Sequence, residues 1–136
     1  VIASRYLDGA SSRDDDFMSG MANKFLTGLI NLLFRTNYTD GIGMYKAFKK
    51  RHLHELGLDK RKNEHTEIML LTRGARHQLR IAEIPSPEPK RLGPPGSRAH
   101  PGKLGKYKSG ILILITILRD ALFYWPSLKR ENTDRT

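Results

Sequence analysis

An arginine at the tip of an apolar run and a few carboxylates set among glycines are the residues here best suited to chemistry. Val1-Ile2-Ala3-Ser4-Arg5-Tyr6 reads as a short buried strand with a polar tip. Arg5 at such a tip can grip phosphate oxygens in a two-pronged way, because its guanidinium is a planar fork and the strand holds it still. Asp14-Asp15-Asp16 contains a D-x-D spacing, which can hold a divalent metal against nucleotide-sugar phosphates. The same carboxylates at a helix start also make an N-cap and an acidic first turn. The helix-start reading is favoured, since nothing nearby completes an octahedral site. His52, His54, His65, His77 and His100 show no metal-ligand spacing and read as surface residues. Ser11, Ser12 and Ser97 lack a His/Asp partner in any recognised local pattern. Gly41-Ile42-Gly43 is too short for a phosphate-cradling loop.

These side chains need elements to position them. Residues 8–16 form a loop of turn formers. A helix is predicted from about Asp16 to Arg35. Met18, Met21, Phe25, Leu29 and Leu32 make its apolar stripe, widened by Ala22, Leu26, Ile30 and Leu33. Asn23 and Lys24 fit its exposed face. Asn37 to Gly43 is a turn, and Met44 to Phe48 a short strand. Lys49 to Leu58 is a short basic helix stopped near Gly57, and Glu67 to Arg76 a second helix interrupted by Gly74. Gln78 to Ile84 alternates like a strand, which Pro85 ends.

Residues 86–110 hold five Pro, five Gly and six Lys or Arg. That composition is not expected to form regular structure. It reads either as a mobile basic lid or as a disordered loop with no role. Residues 111–125 return to strong apolarity. They are too short for a crossing, which needs about 20 apolar residues. They read as an amphipathic interfacial helix with Phe123, Tyr124 and Trp125 at headgroup depth, or as a packed core helix. Residues 126–136 are a polar tail.

The chain has 136 residues, 24 basic and 14 acidic, for a formal net charge of +10. Such a field attracts nucleic acid, anionic lipid or phosphorylated ligands without choosing among them. A basic nucleic-acid-binding module is the alternative function, drawing on Lys49-Lys50-Arg51 and Lys60-Arg61-Lys62. Aromatics do not interleave with those runs, which counts against nucleic acid as a partner. The absence of cysteine excludes disulfides and thiolate metal sites, and suits a cytoplasmic setting.

Three ordered segments resemble the second half of family 2 glycosyltransferases, in particular the dolichol-phosphate mannosyltransferase and polyprenyl-phosphate sugar transferase branch. Ala3-Ser4-Arg5-Tyr6, then Asp8-Gly9, is similar to that branch's G-S-R-Y or G-T-R-Y strand end, with Ala3 in place of glycine. Asp40-Gly41-Ile42-Gly43-Met44-Tyr45-Lys46 is similar to its D-x-[ST]-[GS]-[FY]-[RK] turn, with Ile42 where a hydroxyl residue is expected. Glu67 and then Arg80-Ile81-Ala82-Glu83-Ile84-Pro85 are similar to its E…[IV]-x-E-[IV]-P strand. Arg91 follows, and Gly96-Ser97-Arg98 stands where the family has G-x-S-K. The resemblance covers about residues 1–125.

The resemblance implies an α/β fold, the C-terminal portion of a GT-A-like three-layer sandwich. Residues 1–85 would be the acceptor-side portion and 86–110 the acceptor loop. The donor-binding strands and the metal-binding D-x-D would lie upstream of Val1, whose apolar surroundings look like the middle of a strand. The implied chemistry is transfer of a sugar from a nucleotide-diphosphate sugar to an acceptor, with Mg2+ or Mn2+ bound outside this chain. A polyprenyl or dolichyl phosphate acceptor is already anionic and needs positioning more than a strong base. Arg5, Lys46, Arg91 and Arg98 are the expected anion clamp. Asp40 is the catalytic candidate, as an orienter of the acceptor or of a clamp residue, or simply as a turn cap. The expected location is the cytoplasmic face of a membrane, with peripheral contact.

Overall fold

The computed structural model describes residues 1–13, 16–58, 65–90 and 103–124. Strand β1 (Ile2–Ser4) leads to helix α1 (Phe17–Phe34). Short helix α2 (Arg51–Glu55), helix α3 (Thr66–Arg76), strand β2 (Glu83–Pro85) and helix α4 (Lys103–Phe123) follow.

Local chemistry explains the bounds of α1. The Asp16 carboxylate accepts the Ser19 backbone N–H at 2.7 Å, so Asp16 is the N-cap. Arg35 closes the helix in the left-handed region, φ 55°, and donates its N–H to the Asn31 carbonyl. Asn31 also fastens the exit loop: its amide donates to Tyr38 O, and its oxygen accepts from Tyr38 N and Thr36 Oγ1.

The buried face of α1 overlaps the predicted stripe only at its widening positions Leu26 and Ile30. Asn23, Leu26, Thr27, Ile30 and Phe34 are buried, while Met18, Met21, Phe25 and Leu32 stand exposed. The helix is apolar on most of its circumference, so periodicity offers two faces. Asn23 and Thr27 decide between them, because their polar groups find partners in the 40–43 turn.

Helix α3 runs through Gly74 without a break, and Ile68 to Gly74 are all buried. It packs against both α1 and α4. Leu26, Ile30, Phe34, Ile68 and Ile117 form the main core. Leu56, Leu58, Met69 and Leu70 form a second cluster. A buried ion pair joins α3 to α4: Arg73 Nε lies 3.2 Å from Asp120 Oδ2, and Thr72 Oγ1 donates to the same oxygen at 2.8 Å.

The segment 86–110 is in part regular, contrary to expectation, since α4 begins at Lys103. Every proline of that segment precedes the helix. Glycines within a helix cost only about 1 kcal/mol each, so Gly105 and Gly110 are tolerated. Tyr124 is also not a headgroup anchor: its hydroxyl meets His77 Nε2 at 2.7 Å, and Arg73 stacks 4.4 Å from its ring centroid. His77 is correspondingly not a plain surface residue. Trp125 and the 126–136 tail lie outside the described residues, as do Asp14, Asp15, Lys60-Arg61-Lys62, Ser97 and His100.

The predicted strand 78–84 shrinks to Glu83–Pro85, which pairs parallel with β1 in the register Ile2↔Glu83, Ala3↔Ile84, Ser4↔Pro85. Pro85 belongs to the strand, and the next donor, Ser86 N, bonds Ser4 O at 2.8 Å. The predicted strand 44–48 is a single antiparallel bridge, Ile2↔Lys46, flanked by Ala3 N to Tyr45 O and Ala47 N to Val1 O, each 3.0 Å. Strand β1 is thus held on both edges, which fixes the direction of Arg5.

Candidate functional site

Arg5 leaves the end of β1 and meets the 40–43 turn. Its Nε donates to Asp40 Oδ2 at 2.7 Å and its Nη2 to Asp40 Oδ1 at 3.0 Å, a bidentate pair. The Arg5 backbone N–H adds a third bond to Asp40 Oδ2 at 3.2 Å. Asn23 Nδ2 at 3.2 Å and Gly43 N at 2.8 Å complete the donors around this fully buried carboxylate. Burial works to raise the Asp40 carboxyl, but the hydrogen bonds and charge of Arg5, with the Asn23 amide, hold it below the usual carboxylate range.

The glycines of the turn have a steric reason. A Cβ at Gly43 would lie 2.9 Å from Asp40 Oδ2, inside any tolerated contact. One at Gly41 would press on Ile30 Cδ1 at 3.1 Å and Thr27 Oγ1 at 3.3 Å. The departure at Ile42 is explained by packing: its side chain lies against the main core.

Glu83 grips the same turn from β2. Its carboxylate accepts from Thr39 N at 3.0 Å, Thr39 Oγ1 at 3.0 Å and Asp40 N at 3.3 Å. Ser4 and Thr39 share a hydroxyl contact of 2.5 Å. Glu88 closes the outer side, accepting from Arg5 Nη1 at 3.1 Å and Ser12 Oγ at 2.9 Å.

Lys46 completes the arrangement. Its Nζ donates to the Gly43 carbonyl and, at 3.4 Å, to the Gly41 carbonyl. Burial pulls its ammonium down to about 8, against the opposing pull of Asp40 and Glu67. An apolar groove of about 390 Å3 borders Lys46, with Ile2, Phe48, Leu79, Ile81 and Arg80 among its lining.

Arg5, Asp40 and Lys46 are therefore brought together, while Arg91 and Arg98 lie outside the described residues. Asp40 is buried and surrounded by donors: it holds Arg5 and caps the turn. Asn23, Glu88 and the grip of Glu83 on the turn were not legible as site residues. Asn23 sits in a helical stripe pattern that assigns it to solvent, and Glu88 sits within a Pro-rich stretch. Among the described residues no group of three or more His, Cys, Asp or Glu gathers as metal ligands. Comparison of the chain with protein-family models, curated proteins and solved structures finds no match.

Proposed function

We propose that this chain is the acceptor-side, C-terminal part of a nucleotide-sugar-dependent glycosyltransferase whose acceptor is a polyprenyl or dolichyl phosphate. One observation carries the reading. The segments that resemble the family are far apart in sequence, yet they converge on one locus. Arg5 clasps Asp40, Glu83 clasps the same turn, and β1 pairs in parallel with β2. A chance set of short motifs has no reason to interlock by side-chain hydrogen bonds.

In this reading Asp40 is a positioning residue. It holds two edges of the Arg5 fork, and Arg5 Nη1, now on Glu88, is the donor an acceptor phosphate would compete for. The groove beside Lys46 and Arg80 offers apolar walls with cations, which suits a lipid chain carrying an anionic head. The divalent metal and the donor diphosphate belong to the upstream half. The metal would neutralise the leaving diphosphate.

The test is transfer by the full-length polypeptide, given UDP- and GDP-sugars, Mg2+ or Mn2+, and a polyprenyl phosphate. Sugar appearing on the lipid phosphate is the expected result. Failure to bind any nucleotide sugar, together with tight and sequence-selective RNA or DNA binding, would replace this reading with the nucleic-acid module.

A further inference from the structure

Residues 85–89 read Pro-Ser-Pro-Glu-Pro, so each proline alternates with a residue that keeps its backbone N–H. Both of those N–H groups are used. Ser86 N donates to Ser4 O at 2.8 Å, and Glu88 N donates to Ser11 O at 3.0 Å. Arg13 N donates to Glu88 O at 2.9 Å, and Ser12 and Glu88 form a parallel bridge. The prolines fall at the positions between these bonds and fix φ there, which stiffens an extended backbone. Residues 85–89 are thus a stiff strap, tied by its backbone to the end of β1 and to the loop 11–13.

This frame delivers one carboxylate to one place. Glu88 Oε2 accepts from Arg5 Nη1 at 3.1 Å and from Ser12 Oγ at 2.9 Å. The other edge of the Arg5 fork, Nε and Nη2, is held by Asp40. The two carboxylates differ in access. The Asp40 side chain is fully buried, whereas that of Glu88 is 29% exposed. Pulling Arg5 from Asp40 would strand a buried charge. Releasing Glu88 needs only a rotation of its side chain into water, because its backbone is held by other bonds. Glu88 is therefore the exchangeable partner of Arg5.

We propose that Glu88 is a built-in competitor for an anion at Arg5: the strap keeps it on Nη1 until a phosphate group displaces it, and returns it when that group leaves. The identity of the anion as a lipid phosphate rests on the transferase reading; the competition needs only the Arg5–Glu88 pair and the strap. Within that reading the competitor favours product release. A phosphate monoester carries close to two charges at pH 7, whereas the diester left by sugar transfer carries one. The singly charged product holds Arg5 less well, and Glu88 takes the guanidinium back.

The experiment is titration of the 136-residue chain with inorganic phosphate at low, fixed salt, followed at the Arg5 Nε–H resonance. Apparent affinity is scaled down by the fraction of time that Glu88 leaves Arg5, so Glu88→Gln should tighten phosphate binding about tenfold. Ser12→Ala removes the second anchor of the Glu88 carboxylate and should tighten it about threefold. Glu55→Gln removes the same charge from an exposed site elsewhere and should leave it unchanged. Phosphate that fails to shift Arg5 Nε–H in both the wild type and Glu88→Gln overturns the proposal. So does equal or weaker binding by both Glu88→Gln and Ser12→Ala, which would make the strap a fastening only. An equal gain from Glu55→Gln also overturns it, by assigning the effect to overall charge. A full-length polypeptide that transfers no sugar, with the Glu88→Gln gain intact, removes the transferase reading and leaves the competitor in place.

Discussion

Asp40 shows how a single buried side chain can organise the segments around it. Its carboxylate accepts from Arg5, Asn23 and Gly43 and reaches no solvent. Replacing one partner of a buried pair costs about 3–5 kcal/mol, because the other charge is left uncompensated. Asp40→Asn should therefore lower the denaturation free energy by that order, as read from urea melts. The pH sign follows from its lowered carboxyl. The stabilisation is complete above the ordinary value of 3.8 and is lost as pH falls through the lower folded value, so Asp40→Asn should flatten the acid limb of the stability curve. Lys46 behaves oppositely. Folding pulls it from 10.5 to about 8, so between those values the unfolded chain binds more protons. Stability linked to Lys46 should rise with pH across that window, and Lys46→Met should remove the rise in melts run at its two ends. The D-G-x-G spacing was readable in the sequence as a turn. Its purpose was not, because the clash of a Gly43 Cβ with Asp40 appears only once the carboxylate is turned inward.

At the scale of elements, α1 is the instructive case. Its existence and bounds follow from apolar periodicity and the Asp16 cap. Its orientation does not, because apolar residues occupy both faces and polar partners make the choice. The contrast can be measured directly. Ile30 is fully buried and Leu32 is 76% exposed, so Ile30→Ala should cost about 2–5 kcal/mol and Leu32→Ala no more than about 0.5 kcal/mol. Equal costs would mean that the packed face is wrong. The α3–α4 contact rests on a polar staple set within the apolar core. Arg73 binds Asp120, donates to the Leu56 carbonyl at 2.8 Å and stacks on Tyr124. Asp120→Ala leaves that guanidinium buried without its charge partner. A loss of about 3–5 kcal/mol in thermal or urea melts is expected.

For the molecule as a whole, a net charge of +10 guarantees some attraction to any polyanion. RNA binding should therefore be detectable at low salt, but weak and indifferent to sequence, with Kd on the order of 10⁻⁴–10⁻⁶ M near physiological salt. A filter-binding series over salt and sequence would show a steep salt slope and no preferred RNA. Tight, selective binding that persists at high salt would contradict it.

The sequence alone determined where the first three helices stand, the turn chemistry, the net charge and the set of segments that resemble one family. These are local or summed properties, set by spacing, backbone preference and composition. Only the tertiary structure decided which face of α1 is buried, that Arg5 is spent on Asp40 and Glu88, and that Lys46 turns onto carbonyls. Each of those depends on partners at least several residues and up to 83 residues away, and a buried polar group takes whichever partner satisfies it.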